Sequence, residues 1–224
     1  AGDPSAEVAR VSRLKALATV REEADVVIAA DTIVVCGGKV LGKDLYLYVR
    51  QPSSLWGAEG GFISSAALDD LECAYCCAQG FLNAEAAESV PVLCVFDSEE
   101  VGSSSVQGAA SDLLENLLTR ICKAMDWDLM EMLSNSFMVS ADNAHAVHPN
   151  HPEFSDANHR PKMNGGIVIK HNANQRYTTD AVSQAIFASI CEAADVPVQY
   201  FANRSDMAGG STLGNIANTP VSLN

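Results

Sequence analysis

Three acidic stretches, each bordering an apolar run, hold the residues of this chain best suited to chemistry. Phe96-Asp97-Ser98-Glu99-Glu100-Val101-Gly102 follows the run Val92 to Phe96. Ser140-Ala141-Asp142-Asn143-Ala144-His145 follows Phe137 to Val139, and Leu68-Asp69-Asp70-Leu71 opens a third segment. Carboxylates at the carboxyl ends of buried strands sit where open α/β sheets hold their ligands. Two neighbouring glutamates can divide the work there, one binding a metal and the other moving a proton. Taken singly, each stretch has a plainer account. An Asp at a helix start is a cap, Glu99-Glu100 a solvated turn, and Asp142-Asn143 an Asx turn. Taken together they suit a dinuclear hydrolase, which needs a bridging carboxylate, terminal ligands for each metal and a base for the bridging water. They point to a metallopeptidase.

The elements that must position these acids alternate along the chain. Helical spacing places Val8, Val11, Leu14, Leu17 and Ala18 on one face of a helix over Glu7 to Val20. Asp25 to Val35 reads as a buried strand turning at Gly37-Gly38, and Leu45 to Val49 as a short strand. A Pro-, Ser- and Gly-rich loop runs from Gln51 to Gly61. A helix over Leu68 to Leu82 carries Leu71, Ala74, Tyr75, Ala78 and Leu82 on one face, and a strand follows over Val90 to Phe96. Gln107 to Met125 forms a helix with Leu113, Leu114, Leu117 and Ile121 inward. Strands follow over Phe137 to Ser140 and Gly166 to Ile169, then a helix over Thr179 to Ala194 and a last strand over Val198 to Ala202. Strands alternating with longer helices predict α/β layers.

Composition narrows the function classes. The 224 residues are 48% hydrophobic, ample for a core, and the mean hydropathy is +0.06. A net charge of −14 supplies no basic patch to neutralise phosphates, which excludes nucleic acid as a partner. No apolar run approaches the length of a membrane span, and Glu7, Arg10, Arg13 and Lys15 stand where a signal peptide is apolar. Seven cysteines without regular spacing suit reduced thiols in a cytoplasmic protein. The charge is uneven: residues 1–44 carry six basic and seven acidic side chains, residues 45–224 eight and twenty-one. That shift places a boundary near Gly42 to Asp44.

Other signals are weaker. His145, His148 and His151 repeat at three-residue spacing, as zinc ligands on a helix do, but Pro149 and Pro152 break any helix that would align them. Together with His159 and His171 they read as loop residues shaping a pocket. Cys73, Cys76 and Cys77 read as core thiols of the helix after Asp69. Gly209-Gly210-Ser211-Thr212 lacks the lysine and the spacing of a phosphate loop.

The acidic stretches belong to longer blocks: Ser65 to Leu71, Phe96 to Ser103, Ser140 to Glu153, Lys170-His171-Asn172-Ala173-Asn174-Gln175-Arg176-Tyr177 and Asp206-Met207-Ala208-Gly209-Gly210-Ser211-Thr212-Leu213-Gly214. In this order they resemble the aspartyl aminopeptidase family of dinuclear zinc exopeptidases, over about residues 44–224. The resemblance implies Asp69 as the carboxylate bridging two metals, with Glu100 binding one and Asp142 the other. Glu99 is implied as the general base that activates the water and then protonates the leaving amine. His145 is implied to stabilise the tetrahedral intermediate, and Lys170 and Tyr177 to line the substrate pocket. A lysine there suits a substrate with an acidic amino-terminal side chain. The expected architecture is a three-layer α/β/α sandwich with a mixed central sheet, part of a zinc-exopeptidase catalytic domain. Homo-oligomers are expected of the family, although its dimerisation domain has no counterpart in this sequence.

Two histidine ligands of the family have no match either, one upstream of Leu68-Asp69-Asp70-Leu71 and one beyond residue 224. Each metal of the pair is then left with Asp69 and one further carboxylate, a donor set that favours Mn²⁺ or Mg²⁺ over zinc. Upstream, Ser12 to Ala18, Ala29 to Val35 and Val40 to Lys43 resemble a fragment of the septum-formation-inhibitor family of nucleotide pyrophosphatases, with Asp31 and Lys43 near its site. Residues 1–43 are expected to be that fragment and residues 44–224 the partial aminopeptidase. The function expected is metal-dependent removal of an amino-terminal residue, acidic ones included, from peptides through a dinuclear metal-activated water. The alternatives are an incompetent remnant or assembly module of the same fold and, more distantly, a nucleotide pyrophosphatase.

Overall fold

The computed structural model describes residues 26–36, 39–85, 89–207, 209, 210 and 216, with the backbone alone for most of 26–49. The helix expected over Glu7 to Val20 and the turn at Gly37-Gly38 lie outside these residues. The chain divides into two compact units, Ala1–Asp69 and Asp70–Asn224.

The first unit holds two hairpins. Strand β1 (Val26–Cys36) runs antiparallel to β2 (Lys39–Val49), from Val26 opposite Val49 to Cys36 opposite Lys39. The valines and isoleucines of β1 and the valines and tyrosines of β2 suit a pleated surface. Register shifts at Ala30/Thr32 and Val34/Val35 bend the ladder as bulges do. The boundary expected near residue 43 falls inside β2. Strands β3 (Ser54–Trp56) and β4 (Phe62–Ser64) pair with each other, β3 inside the segment expected as a loop from Gln51 to Gly61 and β4 just after it. Trp56 stacks on Phe62 at 4.7 Å, and its indole N–H donates to Ser64 Oγ at 2.8 Å. Gly57 turns this hairpin at φ 92°, where a Cβ would press on the Phe62 ring at 2.9 Å.

The second unit takes up helix α1 (Leu68–Asn83) from Asp70 onward. The half-buried face of α1 carries Asp70, Cys73, Ala74, Cys77 and Ala78, while Leu71, Tyr75 and Leu82 are exposed. Sequence spacing put the leucines and Tyr75 inward. Periodicity fixes which residues share a face, and the neighbouring segments decide which face is covered. Helices α2 (Leu113–Met125) and α3 (Leu129–Ser134) make the core, with Leu114, Leu118 and Leu133 buried against Cys94, Phe96, Leu129 and Met132. The buried stripe of α2 is Leu114, Leu118 and Cys122; Leu113 and Leu117, expected inward, are exposed.

Strand β5 (Ile167–His171), helix α4 (Ala181–Ala193) and strand β6 (Val198–Ala202) form a parallel βαβ unit, with Ile167 opposite Val198 and His171 opposite Ala202. Asp180 caps α4 in a reciprocal box, accepting from the Ser183 N–H at 2.8 Å while Ser183 Oγ accepts from the Asp180 N–H at 2.9 Å. The described strands pair into three separate two-stranded sheets, β1–β2, β3–β4 and β5–β6. The stretches 90–96 and 137–140, expected as strands of a mixed central sheet, run without joining any of these ladders. An apolar run becomes a strand only when a neighbouring backbone takes up its N–H and C=O groups. No described helix is long and apolar enough to cross a membrane.

Candidate metal centre

Three aspartates converge. Asp69 and Asp70 are successive residues in the first turn of α1, which begins just after Ala67 in the left-handed region at φ 58°. Asp142 sits in the loop that follows 137–140. One carboxylate oxygen from each of Asp69, Asp70 and Asp142 lies within 4.8 Å of the others. Oxygens bound at about 2.1 Å on opposite sides of one small divalent cation stand about 4.2 Å apart. Neighbouring oxygens on such an ion stand closer, about 3–3.6 Å apart, so the trio must contract to share one ion; its all-oxygen donors fit a hard cation.

Lysine already answers part of this negative charge. Lys170, the fourth residue of β5, places Nζ 2.5 Å from Asp142 Oδ2 and 2.7 Å from the Asn143 carbonyl oxygen, to both of which it donates. Its side chain is 15% exposed and that of Asp142 29%, so the pair is partly shielded from solvent screening. Nζ also lies 5.7 Å from the centroid of the buried Tyr177 ring, within cation–π range. Burial raises the Tyr177 phenol above its ordinary value; a hydrogen bond with Asn203 opposes this and the Asp142 charge adds to it. Two of the three ammonium hydrogens of Lys170 are thus committed.

Cys73 lies one helical turn beyond the first two aspartates. Its thiol donates to Asn143 Oδ1 at 3.1 Å. Burial pushes this thiol well above its ordinary value, and the hydrogen bond and charge of Asp70 push further, so it remains protonated.

Glu99 and Glu100 are not among the three grouped acids. They form an exposed 3₁₀ turn, Glu99–Val101, flanked by Ser98 at φ 64° and Gly102 at φ 97°. The surrounding loop is braced internally. Ser98 O accepts from the Ser103 N–H at 2.8 Å, Ser98 Oγ bonds Ser105 Oγ at 2.9 Å, and Gln107 O accepts from the Asp97 N–H at 3.1 Å. Gly108 is required here, since a Cβ would fall 2.0 Å from Ser103 O. No histidine joins the aspartates among the described residues. His145 is exposed, and His148, His151 and Phe154 form a ring stack with spacings of 5.2 and 5.1 Å. His159 Nδ1 lies 2.8 Å from Asp156 Oδ1.

Of the sequence-derived site residues, the structure brings together Asp69, Asp142, Lys170 and Tyr177, and leaves Glu99, Glu100 and His145 outside the aspartate group. It adds Asp70, Asn143 and Cys73. Asp70 was visible as a neighbour of Asp69 but reads as a helix cap in sequence. Nothing in the sequence marks Asn143 or Cys73, because their roles come from proximity across 70 residues.

The family model for aminopeptidase I zinc metalloproteases (M18) matches residues 16–224. The chain belongs to this family. The match takes in most of the segment expected to be a nucleotide pyrophosphatase fragment, a resemblance that no comparison supports. A probable M18 family aminopeptidase 2 of Clostridium novyi is 45% identical over 188 residues, which are 83% of this chain and 43% of that protein. A probable aspartyl aminopeptidase of Ricinus communis is 41% identical over 197 residues, 84% of this chain and 40% of that protein. The chain thus spans less than half the length of these relatives. The solved complex of Ape4 and Nbr1 is similar with a TM-score of 0.78 at 32% identity, over 95% of this chain and 41% of that one. The mApe1 dodecamer of S. cerevisiae matches at a TM-score of 0.71 and 27% identity, over 83% and 43%. The fold class common to this chain and its structural neighbours is α/β.

Proposed function

We propose that this chain is part of a metal-dependent aminopeptidase that removes an amino-terminal residue, acidic residues included, from peptides. The observation that carries the proposal is the convergence of Asp69, Asp70 and Asp142 in a member of a zinc aminopeptidase family. The name of the Ricinus relative supports an acidic preference. A bound pair of divalent ions supplies a water acidified toward neutral pH and positive charge for the oxyanion. Asp69, Asp142 and Glu100 would hold the ions; zinc is the family's metal, and the all-oxygen donors also suit Mn²⁺ or Mg²⁺.

Glu99 takes the proton of the attacking water and returns it to the leaving amine. His145 donates to the developing oxyanion. The third ammonium hydrogen of Lys170 reaches an acidic side chain, with the Tyr177 ring as the wall beneath it. The accompanying architecture is a three-layer α/β/α sandwich, in which 90–96 and 137–140 would join the β5–β6 sheet, with which they do not pair in this structure. That arrangement carries Glu99 and Glu100 from the end of one strand and Asp142 from the end of another. A homo-oligomer is the proposed assembly, on the model of the dodecameric relative.

Hydrolysis of Asp- and Leu-anilides tests the proposal, with Zn²⁺ or Mn²⁺ restored after chelation and Glu99→Gln as the comparison. Metal-dependent turnover lost in Glu99→Gln is expected; folded protein without turnover under either metal overturns it. That second outcome is what a fold-retaining, non-catalytic module predicts.

A further inference from the structure

We propose that Cys73 and Asn143 form a positioning pair that fixes Asp142 against the aspartates of α1. The inference rests on Asp142 as a metal ligand. The pair joins the two backbone segments that bring the trio together: Cys73 belongs to the helix of Asp69 and Asp70, and Asn143 follows Asp142 in the loop. The thiol donates to Asn143 Oδ1 at 3.1 Å. The backbone carbonyl of the same asparagine accepts from Lys170 Nζ at 2.7 Å, and this ammonium also bonds Asp142 Oδ2 at 2.5 Å.

Asn143 is therefore held at its side chain from α1 and at its carbonyl from β5. A single planar peptide links it to Asp142, so fixing one residue restricts the other. Without the thiol, the loop keeps its anchor to β5 and loses its tie to the helix. Asp142 is then free to draw away from Asp69 and Asp70. Groups that orient a metal ligand without touching the metal commonly change affinity by about 10–100-fold. Neither Cys73 nor Asn143 is a carboxylate or an imidazole; Asn143 acts through Asp142, and Cys73 acts through Asn143 and through its own hydrogen bond with Asp70.

Mn²⁺ affinity by chelator competition tests the pair in the full chain, with wild type, Cys73→Ala, Cys73→Ser, Asn143→Ala and the Cys73→Ala/Asn143→Ala double variant. Each alanine variant is expected to bind about 10–100-fold more weakly. The double variant is expected to bind no more weakly than either single variant, because both remove the same bond. Cys73→Ser keeps a donor and is expected to recover most of the loss. Leu117→Ala, exposed on α2, is expected to leave affinity unchanged. Where Cys73→Ala does not unfold cooperatively in EDTA, Cys73→Val, which restores volume without a donor, replaces it. Wild-type binding with unaltered single variants, additive losses, or no rescue by serine overturns the pairing alone. A wild-type chain that takes up no Mn²⁺ overturns the metal reading and the pairing together.

Discussion

Replacing Lys170 by Met removes the cation from Asp142 while keeping most of the side chain's apolar stem. The pair is 15% and 29% exposed, intermediate between a surface ion pair and a buried one. Exposed pairs contribute about 0.2–1 kcal/mol, and breaking a fully buried pair costs about 3–5 kcal/mol. Lys170→Met should therefore cost roughly 2 kcal/mol in the absence of divalent ions. For a domain of this size each kcal/mol moves Tm by about 2–4 °C, so a fall of about 4–8 °C is expected. Thermal unfolding followed by far-UV circular dichroism in EDTA measures it. Lys170→Arg keeps the charge but presents a planar fork in place of a compact ammonium, and should lose less. Saturating Mn²⁺ should narrow the Lys170→Met deficit, because a bound cation answers the charge that the lysine left. A Tm within about 1 °C of wild type in EDTA, or a deficit indifferent to Mn²⁺, would refute the reasoning.

Further expectations follow from the core, the thiols and a cap. Leu118→Ala, at a position 6% exposed, should cost about 2–5 kcal/mol, whereas Leu117→Ala, one residue earlier and exposed, should stay within about 0.5 kcal/mol; chemical denaturation compares them. Exposed Cys76 should react readily with a thiol reagent at neutral to mildly alkaline pH, and peptide mass spectrometry should find Cys73 unlabelled. Burial and then Asp70 raise the Cys73 value, so its thiolate fraction stays small across that range. The Asp180 carboxylate is held below its ordinary value, first by the Ser183 N–H and then by the Ser183 side chain. Its contribution is thus complete above the unfolded value near about pH 4 and is lost as pH falls through the lower folded value. Asp180→Asn should flatten that acid limb of a Tm-against-pH profile.

Periodicity and end signals in the sequence were enough to locate α1, α4, β5 and β6 to within a residue or two. The helix expected from Thr179 starts at Ala181, after the Asp180 cap that the structure shows. Runs such as Val90 to Phe96 and Phe137 to Ser140 carry strand composition, but composition supplies no hydrogen-bond partner, and these stretches joined no ladder. The same limit applies to helix faces. Spacing put Leu71, Tyr75 and Leu82 on one side of α1, and packing covered the side bearing Asp70, Cys73 and Cys77 instead.

Residue type beside apolar runs marked Asp69 and Asp142 as chemically capable, because a carboxylate is visible as such in any fold, and the family resemblance marked Lys170. Tertiary structure decided their grouping: Asp70 joined the trio, Glu99 and Glu100 did not, and Lys170 took Asp142 as its partner. It also recruited Cys73 and Asn143, ordinary residues that act only through a hydrogen bond across 70 positions. Charge and periodicity are local properties that a sequence states directly; a distance between remote side chains exists only once the chain has folded.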